Sequence, residues 1–166
     1  MVNATTEKVQ KNSAALKRLF GWLFGVGAFL IFSEIVYMPL KAVLFTVGTD
    51  ALGSAVRHLL ATSLAASPAL ALLGGVWQAR NLFQGFASGE ILTVDAGKAL
   101  TRLGDWLVIS AVLSFFFGPA GEHPDATFGH YLSTIVMLGC LGLAIRLVGR
   151  VVEVAAEIKI DHDQIV

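Results

Sequence analysis

Residues Phe20 to Leu40 read FGWLFGVGAFLIFSEIVYMPL, an apolar run close to the roughly 20 residues with which an α-helix crosses about 30 Å of hydrocarbon. A polar arm carrying Lys8, Lys11, Lys17 and Arg18 precedes it, which is also the flank of a secretory signal. The run is longer than a signal-peptide core of about 7–15 residues, and no convincing small-residue cleavage site follows it. It is expected to be an uncleaved transmembrane helix.

Three further runs have the same character, so the expected spans are about 20–40, 58–79, 104–120 and 130–150. The segments between them are tails and short loops without a core of their own. The expectation is therefore a single all-α membrane domain over residues 1–166, an integral membrane bundle of four transmembrane helices. A hydrophobic share of 55%, a charged share of 14% and a mean hydropathy of +0.72 set the chain apart from soluble domains of its length. The third run is the weakest. Its apolar core, Trp106 to Pro119, is short, so it needs Leu100 and Leu103 from the preceding segment or neighbours that shield its ends.

Orientation follows from Lys and Arg. The N-terminal arm holds four, the stretch from Arg80 to Arg102 three, and the C-terminal end three (Arg146, Arg150 and Lys159), leaving Lys41 and Arg57 for the other side. The positive-inside rule then places both termini and the middle loop in the cytoplasm. Trp22, Trp77 and Trp106 fall at the inner boundary and Tyr37 and Tyr131 at the outer one, as aromatic belts require. Within the middle loop, Gly89 and Thr93 read as a turn and an N-cap before a short amphipathic helix, Val94 to Leu103. Val94, Leu100 and Leu103 share one side and Asp95, Lys98 and Arg102 the other, so the helix is expected to lie along the cytoplasmic surface before the third span. The outer segment Lys41 to Val56 is mildly apolar and is expected at its own interface.

Few residues point to chemistry. Glu34 lies inside the first span, about 9 Å along the helix from its outer end. Intramembrane carboxylates are costly and mark ion, proton or ligand sites, or else find hydrogen bonds to neighbours such as Ser33. His58, His123 and His130, with Glu122 and Asp125, are metal- or haem-compatible ligands on the outer side, but their spacing defines no known site. Arg146 and Arg150, one turn apart, are suited to lipid phosphate and to an Arg150–Glu153 pair. Small residues recur four apart at Gly21 and Gly25, at Ala61, Ala65 and Ala69, and at Ser110, Ser114 and Gly118, a pattern of close helix packing within one chain or between two. The single cysteine, Cys140, excludes an internal disulfide framework. Twelve basic and twelve acidic residues remove the electrostatic case for nucleic acid. Nucleophile-base sets, P-loops and dinucleotide fingerprints are absent from the sequence, so no enzyme and no cofactor are expected.

Two stretches carry a resemblance: Gly89-Glu90-Ile91-Leu92-Thr93 leading to Ala99-Leu100-Thr101-Arg102-Leu103-Gly104, and the terminal Glu157-Ile158-Lys159-Ile160-Asp161-His162-Asp163-Gln164-Ile165-Val166. They resemble an uncharacterised bacterial membrane family, the domain of unknown function "twenty-nine seventy-five". That family has a G-x-x-F-T turn before a helix ending L-x-x-x-G, and an acidic E-x-D-x-x-V-like tail. Leu92 stands in place of its usual Phe, and Asp161 in place of its usual Glu. The resemblance implies four spans in the bacterial cytoplasmic membrane and a stress, immunity or signalling role beside a helix-turn-helix regulator; it carries over no catalytic residue. The leading expectation is a non-enzymatic module that docks a protein partner at its cytoplasmic face through Asp95, Lys98, Arg102, Glu157, Asp161 and Asp163. A homo-oligomeric ion or substrate transporter using Glu34, and a haem or metal protein using the histidines, are the alternatives.

Overall fold

The computed structural model of the chain describes residues 2–45, 51–88, 93–117 and 128–163. They form four helices: α1 (Val2–Phe45), α2 (Ala51–Ala87), α3 (Val94–Phe117) and α4 (Phe128–Asp163). Each contains a stretch long and apolar enough to cross a membrane: Lys11–Tyr37, Val56–Ala87, Val94–Phe117 and Tyr131–Ile160. The architecture is all-α, and four such helices fit a multi-pass membrane protein. These stretches contain the cores of all four expected spans. The third reaches full length because α3 begins at Val94.

That start corrects one expectation. Val94 to Leu103 is not a separate helix but the first part of α3, which runs without interruption through Gly104. Thr93 is the N-cap, its Oγ1 accepting the Ala96 amide hydrogen bond at 3.2 Å. Gly104 does not terminate the helix, because glycine inside a helix costs only about 1 kcal/mol and here it serves packing. Lys41–Phe45 likewise continue α1, and Ala51–Val56 begin α2. The expected turn at Gly89, the outer loop from Gly118 to Thr127 and the last residues from Gln164 lie outside the described residues.

The helices pack in chain order, α1 on α2, α2 on α3 and α3 on α4, and among the described residues no other pair of helices is in contact. The bundle is thus an open row of antiparallel neighbours. What lies between them is small: the buried apolar residues are Ala66, Ala71, Ala79, Leu82, Ala96, Ala111 and Ala156. Large side chains such as Trp22, Phe29, Phe116, Met137 and Leu147 point outward. In water such a surface would be one continuous aggregation-prone patch. In lipid, apolar side chains gain nothing from hiding, and association rests on close backbone packing through small residues.

The α3–α4 contact shows this most clearly. A Cβ added to Gly104 would stand 2.6 Å from the Arg146 amide nitrogen and from the Gly142 carbonyl oxygen. One added to Gly149 would meet the Thr101 amide nitrogen at 2.6 Å, and one at Gly97 the Glu153 amide nitrogen at 2.7 Å. Gly97, Gly104 and Ala111 on α3 face Gly142, Gly149 and Ala156 on α4, each set spaced by seven. A seven-residue repeat keeps one stripe facing the partner along a left-handed crossing. Thr101, on the same face, donates its hydroxyl to the Gly97 carbonyl at 3.0 Å and so needs no partner across the contact.

At α2–α3 the feature that sets the contact is Pro68, inside α2. Proline has no amide hydrogen, which leaves the Leu64 carbonyl without its helical donor. The Ser67 hydroxyl donates to that carbonyl at 2.7 Å. From α3, the fully buried Ser110 donates to the Pro68 carbonyl at 2.9 Å. Hydroxyls that satisfy backbone around a proline are what hydrocarbon demands, since no water is there to do it.

Candidate functional site

The ends of the row that carry most of the Lys and Arg come together through this packing. Because Gly97 lies against Glu153 and Gly149 against Thr101, the start of α3 and the last turns of α4 form one rigid two-helix block. Asp95, Lys98 and Arg102 are exposed on α3, spaced to share one face. Glu157 is exposed one turn beyond Glu153, level with the Thr93 cap. Among the described residues none of these four has an ion-pair partner. The two-sign set is left to the surroundings. Asp161 and Asp163 belong to the end of α4, and their side chains lie outside the described residues.

One ion pair joins the two helices next to the close approach at Gly104. Arg146 Nε lies 3.2 Å from Asp105 Oδ1, with both side chains somewhat under half exposed. Asp105 follows Gly104, whose close approach brings the α4 backbone at Arg146 within reach. This reassigns Arg146, which the sequence reading assigned to lipid phosphate. The expected Arg150–Glu153 pair is not formed among the described residues, where Asp105–Arg146 is the only ion pair. Glu153 instead packs its backbone and Cβ on Gly97.

The tryptophans keep a common level. Trp77 packs on Phe24 with ring centroids 5.0 Å apart, and Trp106 covers Gly74, where a Cβ would stand 2.7 Å from its indole. Arg80 lays its guanidinium over the Trp77 ring, 4.7 Å from the centroid. At the opposite end, the Tyr131 hydroxyl donates to the Ser114 carbonyl, tying α4 to α3.

Glu34 is exposed on α1 and has no hydrogen-bond or ion-pair partner among the described residues. It therefore points away from the interior of a single chain. His58 is exposed near the start of α2, whereas His123 and the side chain of His130 lie outside the described residues. The described residues contain no group of three metal-compatible ligands. Cys140 is free and exposed. The four-apart small residues divide: Ser110 packs on α2 and a Cβ on Gly21 would stand 3.6 Å from Arg80 Nε, whereas a Cβ on Gly25 would meet nothing within 4 Å and Ala61 and Ala65 are exposed.

Fold and site together define an all-helical protein of four potentially membrane-spanning helices, with a charged two-helix block at one end. The chain matches no protein-family model, and no curated protein or solved structure is similar to it.

Proposed function

We propose that the protein is a non-enzymatic module of the bacterial inner membrane that binds a protein partner at its cytoplasmic face. The observation that carries this reading is the α3–α4 block. Backbone-to-backbone contact at Gly97 and Gly149 makes it rigid, while Asp95, Lys98, Arg102 and Glu157 are exposed and unpaired. A preorganised surface loses little entropy on docking, and mixed charges favour orientation and specificity over raw affinity. The family resemblance, carried by Gly89 to Gly104 and Glu157 to Val166 of the sequence, points to a stress, immunity or signalling partner. Photo-crosslinkers placed at positions 98 and 102 test it in cells. A discrete adduct that disappears with Asp95→Lys/Glu157→Lys and on deleting Asp161 to Val166 is expected; no adduct, or the same adducts from position 29, overturns the reading.

One observation favours a second reading. Glu34 is exposed on an edge helix that, among the described residues, touches only α2, so a second copy packed there would enclose it. An assembly of that kind is a small ion- or substrate-handling pore, consistent with the ordinary role of intramembrane carboxylates. A monomer in mild detergent, or transport unchanged by Glu34→Gln in vesicles, overturns this second reading.

A further inference from the structure

Between α1 and α2, on the basic end of the row, runs an open groove of about 540 Å³. Its head is cationic: Lys17 and Arg18 from α1 and Arg80 from α2. Its body is apolar, formed by Trp22, Val26 and Phe29 along successive turns of α1. Gly21 and Gly25 make the trough, the first letting Arg80 lie across α1 with Nε 3.6 Å from where a Cβ would be, the second leaving open space. No acidic residue lines the groove, and among the described residues none of its three cations is in an ion pair. Arg80 is held in place by its stacking on Trp77.

We infer that this groove is a binding site for an anionic phospholipid, its phosphate between Lys17, Arg18 and Arg80 and one acyl chain along Trp22, Val26 and Phe29. Three uncompensated charges at one spot need a counter-charge. Apolar walls leading away from them toward the middle of α1 fit a ligand with a charged head and a hydrocarbon tail. Basic pockets between helices on the cytoplasmic side of a membrane protein favour acidic headgroups, at about a fivefold gain in affinity for each cation near the surface. A free phosphate would use the head and leave the apolar body empty. The inference rests on the reading of the helices as membrane-spanning, but not on the proposed protein partner.

The test reconstitutes the full chain into phosphatidylcholine vesicles containing a small fraction of brominated lipid, whose bromines quench nearby tryptophan. Brominated phosphatidylglycerol is expected to occupy the site about fivefold or more in preference to brominated phosphatidylcholine. Lys17→Gln/Arg18→Gln/Arg80→Gln abolishes the preference. Lys98→Gln/Arg102→Gln keeps it. Gly25→Phe, which fills the trough with every cation in place, abolishes it too and guards against misfolding of the triple variant. Equal quenching by both lipids in protein that floats with the vesicles overturns the inference alone. Protein that does not float overturns it together with the membrane reading. Loss of the preference on adding millimolar inorganic phosphate at constant ionic strength assigns the cations to free phosphate and overturns the lipid.

Discussion

Asp105 and Arg146 illustrate what a single residue does in this molecule. Each would otherwise be an isolated charge near the basic end of a long apolar helix, and an unpaired ion is expensive wherever such a helix lies in hydrocarbon. At 3.2 Å they neutralise each other and join α3 to α4. Asp105→Asn and Arg146→Gln are each expected to lower the unfolding temperature in detergent, and the double variant to lose less than the sum. A coupling of roughly 0.5–1.5 kcal/mol is expected. Strict additivity of the two would show that the pair contributes nothing. Asp105 is inconspicuous in the sequence because a lone acid beside a long apolar run gives no sign of its partner. Only the helix register, set by glycines elsewhere, brings Arg146 to it. Glu34, by contrast, is conspicuous in the sequence, yet among the described residues it has no hydrogen-bond or ion-pair partner.

At the scale of the element, the α3–α4 hairpin is governed by which glycines face backbone. Gly104→Ala places a methyl 2.6 Å from backbone atoms that have no freedom to move aside, and is expected to cost about 1–3 kcal/mol. Gly25→Ala meets nothing within 4 Å and is expected to be neutral or to stabilise by up to about 1 kcal/mol, since alanine restricts the unfolded chain. Thermal unfolding of the two variants side by side checks the contrast, and equal effects would contradict the packing described. Much of each element was legible. The four apolar runs and the Thr93 cap follow from composition and local hydrogen-bond chemistry. The hairpin contact was less so, because the four-apart spacing of small residues points to Gly25, Ala61 and Ala65, which are exposed. The seven-apart repeat of Gly97, Gly104 and Ala111, matched by Gly142, Gly149 and Ala156, was present in the sequence and is the signal that would have found it. The short amphipathic helix was misjudged for a related reason. Its polar face is real, but its opposite face ends in glycines that dock on α4 and carry the helix onward through Gly104.

For the whole molecule, the open row matters more than any one contact. Among the described residues the helices contact only their chain neighbours, so within them a single chain encloses no central path. That arrangement separates the charged block formed by α3 and α4 from the cationic groove formed by α1 and α2, placing them at the same end of the row. The whole account depends on four crossings with that end in the cytoplasm. Single cysteines at Asp95→Cys, Asp125→Cys and Asp161→Cys, each in a Cys140→Ser background, test it through labelling with a membrane-impermeant maleimide in intact and permeabilised cells. Position 125 is expected to label in intact cells, and positions 95 and 161 only after permeabilisation. Labelling of position 95 or 161 in intact cells, or protection of position 125, would contradict it.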